Sequence, residues 1–404
     1  MEIHLDKKIA DKPWAKDARD IVRTCVHCGF CNATCPTYQL LGHESDGPRG
    51  RIYLITQLLE GKPGDTQTRE HLDRCLLCRA CETTCPSGVE YGQLLETGRE
   101  MLEQQQHRSG PDDWRRKALT TIVPNVSLMQ TGVNLVKPLR RLLPKDLQTQ
   151  LPLAGKNLQR PQSRHARKML LLEGCVQSNL TPETNAATAR VLDRFGISLL
   201  AEVRNSCCGG VRLHTSDRKR GLRDVKKRID SWWPGVEAGA EAIISTASGC
   251  GVTLKEYGDL LKDDAEYAEK ARIISDLAVD LCEVISAELT KSPLEQPVLK
   301  GIKVAFQSPC TLQHGQKLDG EVEAILRACN YTLLPVKDSH LCCGSAGTYS
   351  MLQPAISKQL KTNKLKQLQS HSPDVIASAN IGCQLHLRKD ANVPVVHWIE
   401  LLDN

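Results

Sequence analysis

Two kinds of hydrophobic pattern divide the chain. In the first quarter, apolar residues recur every three or four positions, at residues 52–59 before Gly61 and again at 91–104, which predicts helices. After residue 168 the apolar residues form short runs instead, at 169–172, 242–244, 304–306 and 375–377. These runs alternate with helical segments such as 186–195 and 321–329. They predict α/β units with a mostly parallel sheet.

Prolines punctuate the stretch between these two regions, at positions 124, 138, 144, 152 and 161. They indicate a linker with short helices. The predicted organisation is therefore an α-helical domain at 1–110, a linker at 111–167 and two α/β lobes at 168–290 and 300–404. In the linker, leucines at 135, 139, 142 and 143 interleave with basic residues at 137, 140 and 141. Such a segment either docks on an anionic membrane or a partner, or packs its leucines on a neighbouring domain.

Composition indicates the expected cellular compartment of the protein and the classes of partner that are not expected. No apolar run precedes the first motif, so no secretory signal is expected, and eighteen cysteines then indicate metal binding in a reducing cytoplasm rather than disulfides. No stretch of about eighteen apolar residues is present, which excludes a spanning helix but leaves contact with the inner face of the cytoplasmic membrane open. The net charge of +6 is modest, and aromatic residues do not interleave with basic patches, so nucleic-acid binding is not expected.

The chemistry-bearing motif of the helical domain is C-x2-C-x2-C-x3-C-P. It occurs at Cys25, Cys28, Cys31, Cys35 and Pro36, and again at Cys75, Cys78, Cys81, Cys85 and Pro86. This run is the bacterial ferredoxin signature for a [4Fe-4S] cluster, and in two-cluster proteins the fourth thiol ligates the other cluster. We therefore expect one cluster on Cys25, Cys28, Cys31 and Cys85 and a second on Cys75, Cys78, Cys81 and Cys35. Structural zinc is the alternative, although zinc needs neither the third cysteine nor the proline.

Two arginines follow the first motif, in Gly47-Pro48-Arg49-Gly50-Arg51. Charges and hydrogen bonds near a cluster tune its potential, so Arg49 and Arg51 are candidates for that role. Ordinary surface arginines at the start of a helix are the alternative.

The second half of the chain is an internal duplication. Cys175, the pair Cys207-Cys208 and Cys250 in the first copy correspond to Cys310, the pair Cys342-Cys343 and Cys383 in the second. These cysteines follow the predicted strands, where open α/β sheets place ligands, and Gly209, Gly210 and Gly344 would allow a bulky group to approach the backbone. The eight thiols are candidates for additional cluster or metal sites, with buried packing cysteines as the alternative. Cys282 and Cys329 match nothing in the other copy and are expected in the core.

The order of these motifs resembles the cysteine-rich (CCG) electron-transfer subunits of heterodisulfide reductase, anaerobic glycerol-3-phosphate dehydrogenase and lactate-utilisation systems. It resembles more closely the iron-sulfur subunits of bacterial glycolate oxidase. That similarity rests on residues 25–31, 46–55, 246–251 and 338–349 and covers nearly the whole chain. It implies an α+β multidomain protein, with an α-helical ferredoxin-like domain bearing two [4Fe-4S] motifs, followed by two duplicated α/β cysteine-rich lobes.

The resemblance also implies a role. Separate FAD-bearing flavoprotein subunits would oxidise glycolate to glyoxylate, and this chain would pass the electrons to a respiratory acceptor, with quinone expected. The chain has no G-x-G-x-x-G fingerprint after a strand, so no flavin site is expected in it. The alternatives are the same role with a lactate or glycerol-3-phosphate dehydrogenase, and a zinc-stabilised scaffold without redox chemistry.

The chain departs from the heterodisulfide reductase pattern at one position in each repeat. Where those relatives have C-x2-C at the end of a repeat, this chain has Ala247 before Cys250 and Asn380 before Cys383. Four thiolates per lobe then remain for a cluster or another metal ion, or three with a histidine such as His314, His340 or His397. The same thiols could instead bound a redox pocket.

Overall fold

The computed structural model describes residues 2–106, 108–143, 148, 151–152, 156–200, 207–292 and 301–403. The chain folds into two compact units. The first comprises Met1–Lys117 and His340–Lys364, and the second comprises Ala118–Ser339 and Leu365–Asn404. Among the described residues, no helix combines the length and the apolar content needed to cross a bilayer.

The first unit is helical, as the spacing of its apolar residues predicts. Its helices up to residue 105 are α1 (Pro13–Thr24), α2 (Phe30–Ala33), α3 (Pro36–Leu41), α4 (Pro48–Leu59), α5 (Thr66–Asp73), α6 (Ala80–Thr83) and α7 (Tyr91–Gln105), with a 3-10 turn at Glu44–Asp46. Pro48 occupies the first turn of α4, where its missing N–H costs no hydrogen bond. Ile55 and Leu59 of α4 and Leu94 and Leu95 of α7 are fully buried and form the centre of the core. The two helices predicted at 52–59 and 91–104 are therefore confirmed.

The second unit contains two four-stranded parallel sheets. The first is β1 (Arg167–Leu172), β2 (Ile197–Leu200), β3 (Ile243–Ser245) and β4 (Ala278–Asp280), in the order β2-β1-β3-β4. The second is β5 (Lys303–Gln307), β6 (Thr332–Leu333), β7 (Val375–Ser378) and β8 (Val395–His397), in the order β6-β5-β7-β8. Every pairing is parallel, and corresponding strands occupy corresponding places. The predicted duplication and parallel topology are confirmed.

Further helices precede, separate and follow these strands along the chain, since parallel strands need crossover connections rather than tight turns. They are α8 (Gly110–Ile122), which begins in the first unit, α9 (Val126–Val136), α10 (Gln177–Leu180), α11 (Pro182–Arg194), α12 (Gly210–Leu213), α13 (Arg218–Glu237), α14 (Ser248–Lys255), α15 (Tyr257–Leu260), α16 (Ala268–Leu277), α17 (Leu281–Lys291), α18 (Glu321–Ala328), α19 (Tyr349–Leu352), α20 (Pro354–Leu368), α21 (Ile381–Arg388) and α22 (Trp398–Leu401). A 3-10 helix follows α9 at Lys137–Leu142, and a π-helix lies at Thr311–Gly315. The segment expected as a linker thus contains short helices in its described part.

One hydrophobic core joins the two sheets of the second unit. It contains Leu171 and Ile244 from the first sheet and Val304 and Ala377 from the second, all essentially inaccessible to solvent. Cys282 and Cys329 are part of this core, which confirms the expectation for these two cysteines.

The segment His340–Lys364 belongs to the helical unit although its flanking residues belong to the α/β unit. It contains α19, most of α20 and the cysteine pair Cys342-Cys343. The second copy of the repeat therefore contributes residues to both units.

Candidate metal centres

The first group of thiols lies where α1 ends and α2 begins. Cys25, Cys28 and Cys31 come from this loop, and Cys85 comes from the second motif. Burial raises the pKa of Cys31 to about 11, and negative charge on Cys25, Cys28 and Cys85 acts in the same direction. These four residues therefore lie close enough to interact, and they are the four that the spacing predicts for one cluster.

The second group has the same composition. Burial raises the pKa of Cys81 well above its ordinary value, and charge on Cys78, Cys75 and Cys35 raises it further. The fourth cysteine of each motif thus lies with the first three of the other motif, in the crossed arrangement expected of a two-cluster domain.

The two loops bend in the same way. The residue before the second cysteine has a positive φ in both, 56° at His27 and 53° at Leu77, and so does the residue after it, 85° at Gly29 and 60° at Arg79. Side chains other than glycine adopt this backbone at a cost of roughly 1 kcal/mol or more, and such strain concentrates at functional sites. The bend turns backbone N–H groups inward, as at Leu77, whose N–H donates to Cys75 Sγ at 3.5 Å.

Among the described residues, the cysteines form no close trio of the kind that would hold a single metal ion. Thiolates around a single tetrahedral zinc lie about 3.8 Å apart, given Zn–S bonds of about 2.3 Å. In the described part of the chain, the potential ligands found within 4.8 Å of one another in a group of three are His43, Asp46 and His71. Asp46 already pairs with Arg74 at 3.1 Å, so its charge is partly neutralised and this trio is a poor cation site.

The two groups differ in depth. Cys28 is exposed, and the neighbouring Val26 and Phe30 are also exposed, so the first group lies at the surface of its unit. In the second group Cys75, Cys81 and Cys35 are buried. The first group therefore has one exposed candidate ligand, although its Cys25 is as buried as Cys75 of the second group.

Two tyrosines lie against the second group. The hydroxyl of Tyr91 is 3.6 Å from Cys75 Sγ. The hydroxyl of Tyr349 donates to the carbonyl of Arg74, the residue before Cys75, at 2.9 Å. Burial raises the pKa of Tyr349, and charge on Cys75 and Cys342 adds to the rise. Sequence reasoning did not identify Tyr349 as part of a site, although it ends the 338–349 segment on which the resemblance partly rests.

The first α/β lobe also gathers four thiols. Cys175 follows β1, the pair Cys207-Cys208 precedes α12, and Cys250 lies in α14 after β3. Hydrogen bonds link Cys175 with Cys207, Cys207 with Cys208, and Cys208 with Cys250. The hydrogen bond with Cys207, together with burial, raises the pKa of Cys175 well above its ordinary value. The four candidates of the first copy are thus brought together.

A buried positive charge accompanies this first-lobe thiol group. Arg228 is inaccessible to solvent and lies over the ring of Trp232 at 4.8 Å. The hydroxyl of Tyr257 donates to the carbonyl of Cys208 at 2.8 Å. Burial raises the pKa of Tyr257 well above its ordinary value, charge on Cys208 adds to the rise, and Arg228 opposes it. Tyr257 therefore interacts with both the cysteine pair and this buried cation.

Glycines allow close packing of the chain beside the same pair. Gly209 has a φ of 92°, and a Cβ on Gly210 would lie 2.9 Å from Thr253 Oγ1 and 3.4 Å from Cys208 Sγ. The approach of a bulky group to these glycines stays a prediction.

The second copy is divided between the units. Cys310 and Cys383 belong to the α/β unit, and Cys342 and Cys343 belong to the helical unit. Asn380 precedes Cys383 by three positions; its Nδ2 donates to Cys383 Sγ at 3.4 Å, and its Oδ1 accepts from the N–H of Gly249 at 3.4 Å. Asn380 therefore connects the two lobes and contacts a candidate ligand without supplying a thiolate.

One proposed histidine ligand is not available. His397 Nε2 donates to the carbonyl of Thr246 at 2.8 Å, and its Nδ1 accepts from the N–H of Ile399 at 3.2 Å. Both ring nitrogens are used inside the fold, so the suggestion that His397 completes a three-thiolate site is corrected. His314 and His340 stay candidates.

Comparison with protein families agrees with these groups. A family described as "4Fe-4S dicluster domain" matches residues 21–89, which contain both N-terminal thiol groups. A family described as "Cysteine-rich domain" matches twice, at 169–255 and 304–388, which contain the two copies of the repeat. The chain is thus a mixed α/β protein with an iron-sulfur domain and two cysteine-rich domains.

Individual relatives cover different shares of the chain. The glycolate oxidase iron-sulfur subunit of Escherichia coli is 51% identical over 405 residues, which span 100% of this chain and 98% of that protein. A probable glycolate oxidase iron-sulfur subunit of Bacillus subtilis is 29% identical over 94% of this chain and 92% of its own length. Lactate utilization protein A of Bacillus licheniformis is 24% identical over 59% of this chain and 99% of its own length. By its full-length similarity, the chain belongs to the family of glycolate oxidase iron-sulfur subunits.

Proposed function

We propose that this chain carries electrons within a flavin-dependent glycolate oxidase complex. Partner subunits bearing FAD oxidise glycolate to glyoxylate, and this chain passes the electrons to a respiratory acceptor, quinone. The observation that carries the proposal is the pair of crossed four-thiol groups in a chain of this family. The exposed position of Cys28 supports entry of electrons at the first group.

Each N-terminal thiol group holds one [4Fe-4S] cluster in this proposal. Cys25, Cys28, Cys31 and Cys85 are the ligands of the first, and Cys75, Cys78, Cys81 and Cys35 are those of the second. A bound cluster supplies reversible one-electron storage. The protein contributes soft thiolate ligands, inward N–H groups such as that of Leu77, and burial that limits access of water.

The cysteine-rich lobes provide a further thiolate-held site, which we place first in Cys175, Cys207, Cys208 and Cys250. Its support is the line of linked thiols and the buried charge of Arg228 near Tyr257. The corresponding residues of the second copy, Cys310, Cys342, Cys343 and Cys383, are the second candidate set. A cluster and a single metal ion are both compatible with thiolate ligands.

Contact with the membrane is part of the proposal, since a quinone acceptor lies in the bilayer. Helix α9 is uncharged and buries none of its residues. In the adjoining 3-10 helix and the last turn of α9, Leu135, Leu139 and Leu142 are 74%, 51% and 82% exposed, beside Lys137 and Arg140. Exposed leucines next to basic residues suit the interface of an anionic bilayer.

The function is tested with anaerobically purified complex. Glycolate should reduce a quinone analogue only when the flavoprotein partners and this chain are together, and the isolated chain should not oxidise glycolate with an artificial acceptor. The chain should be brown and hold about eight irons in its N-terminal groups. A colourless zinc protein would refute the electron-transfer role. If the complex oxidised lactate or glycerol-3-phosphate in preference to glycolate, the role would stand but the electron donor would be that substrate.

The membrane contact is tested by flotation of the complex with vesicles of phosphatidylglycerol or phosphatidylcholine. Replacement of Leu135, Leu139 and Leu142 by Ser should reduce binding to the anionic vesicles several-fold. Leu158→Ser, at another exposed leucine, is the control and should bind as the unaltered chain does. Equal binding by all three proteins would contradict the contact.

A further inference from the structure

Arg51 carries a buried positive charge beside the second thiol group, the group of Cys75, Cys78, Cys81 and Cys35. Its side chain is 0% exposed. Its Nε donates to the carbonyl of His71 at 2.8 Å, and both terminal nitrogens lie 3.2 Å from the hydroxyl of Thr37. That hydroxyl is 3.2 Å from Cys35 Sγ, so a single side chain separates the guanidinium from one of the four thiols.

Neighbouring charges stabilise the protonated form of Arg51. Burial lowers its pKa, but charge on Cys75, Tyr91 and Cys35 outweighs this effect and raises the pKa above its ordinary value. Arginine does not lose its proton in proteins, so the charge is permanent. Both thiols that act on it belong to the second group.

The nearest carboxylate neutralises Arg51 only in part. Asp46 lies 3.6 Å from Arg51, but it also pairs with Arg74 at 3.1 Å and with His71 at 3.0 Å. A further guanidinium, that of Arg99, donates to the carbonyl of Cys75 at 2.8 Å. Glu82 is the opposing acid near Cys81. Arg74 also pairs with Glu70, and of these three guanidiniums that of Arg51 has no exposed surface.

A different arginine, Arg49, lies near the first thiol group. Arg49 stands near Cys31, and its Nη1 is 3.4 Å from the carbonyl of His27. It pairs with Glu44 at 2.6 Å, and the two side chains are 35% and 44% exposed. An exposed, paired charge is screened by solvent and by its partner, so Arg49 contributes little field at the sulfurs.

We infer that Arg51 is a fixed countercharge that selectively raises the reduction potential of the cluster at the second thiol group. This inference rests on the proposed function. Reduction adds one electron, supplied by the reduced flavin of the partner subunits, to an already negative thiolate-bound group. A positive charge held in a low-dielectric interior stabilises that added charge far more than a solvated one does. Arg51 gains and loses no proton in the step and acts as a positioning residue.

The test is a redox titration of the complex, followed by electron paramagnetic resonance. Cys28→Ser and Cys78→Ser each remove one thiol from one group and thereby assign the two signals. In Arg51→Gln the midpoint potential of the second-group signal should fall while the other stays, and Arg51→Lys should restore most of the difference. Arg49→Gln is the matched control, two residues away in the same motif, and should leave the second-group midpoint unchanged.

Several outcomes would overturn the inference. The first two are an unchanged second-group midpoint in Arg51→Gln and equal shifts of both midpoints in that variant. The third is a shift of the second-group midpoint in Arg49→Gln as large as that in Arg51→Gln. If Arg51→Gln loses iron, Asp46→Asn takes its place, since it keeps Arg51 and removes the carboxylate that partly neutralises it. A rise of the second-group midpoint then supports the inference, and no change contradicts it. Iron content and quinone reduction in the same samples report separately on the proposed function.

Discussion

Buried cysteines occur in two settings in this molecule. Cys282 is inaccessible to solvent and packs in the core that the two sheets share, and its N–H donates to Asp280 at 3.2 Å. Cys208 is also buried, but hydrogen bonds link it to the thiols of Cys207 and Cys250. Both residues are buried, so the neighbouring thiols distinguish a candidate ligand from a packing residue.

Replacement of these two residues by alanine should give different results. Cys282→Ala removes a packing group and should lower the free energy of unfolding by about 1–2 kcal/mol, with no change in bound metal. Cys208→Ala should remove the metal of the first lobe and leave the resonance signals of the N-terminal clusters in place. Metal analysis and chemical denaturation of the full-length chain measure both effects. Cys208→Ala behaving as Cys282→Ala does would show that this thiol group only packs.

The sequence was informative about residues whose chemistry is local. Thiol spacing within one motif predicts which three cysteines lie together, because a short loop limits where they can point, and the fourth is predicted only from the crossed pattern of two-cluster proteins. The role of His397 was not predictable in this way. Its partner Thr246 is 151 positions away in the chain, and only the packing of the two lobes shows that both ring nitrogens are occupied.

Helix α22 begins at a histidine that acts as its cap. His397 Nδ1 accepts the N–H of Ile399, and the side chain of Glu400 accepts the backbone N–H of His397, which completes a capping box. The Nε2 of His397 donates to the carbonyl of Thr246, which follows the first sheet's β3, and so joins the helix to that lobe. Burial lowers the pKa of His397 to about 4 from 6.5. The neutral ring is thus required for both hydrogen bonds.

This cap should make stability depend on pH. Between about pH 4 and pH 6.5 the unfolded chain binds a proton at this ring and the folded chain does not, so the free energy of unfolding should fall as pH is lowered, by about 3 kcal/mol in total. Asp280 acts in the opposite sense, because burial raises its pKa to about 6. The comparison is therefore the difference between the unaltered chain and His397→Gln, measured by denaturation at several pH values. A difference that does not vary with pH would contradict the assignment.

The helical unit is completed by a segment from the last fifth of the chain. His340–Lys364 brings Tyr349 against the loop that precedes Cys75. The pattern of the repeat could not predict this, because the first copy has the same order of cysteines and stays in the α/β unit. What decides the placement is contact with surfaces more than 200 positions away, and hydrophobic periodicity carries no such information.

The hydroxyl of Tyr349 should stabilise the second thiol group. In Tyr349→Phe the carbonyl of Arg74 loses its donor, which should cost about 1 kcal/mol and speed the loss of iron to a chelator. Tyr53→Phe, at an exposed tyrosine of the same unit, is the control. The loss of visible absorption after chelator addition measures the rate in each. Equal rates in the two variants would show that the hydrogen bond does not support the loop.

The position of His340–Lys364 in the chain also determines when the helical unit can be completed during translation. Residues 1–117 leave the ribosome early, but the rest of their unit follows only when Lys364 has emerged, roughly 250 residues later, a delay of about 12–50 s at common rates of translation. Until then the cysteines of the N-terminal motifs lie in an incomplete unit, open to oxidation and to stray metal ions. Iron and sulfide should therefore be retained at the second thiol group only after nearly the whole chain has been translated.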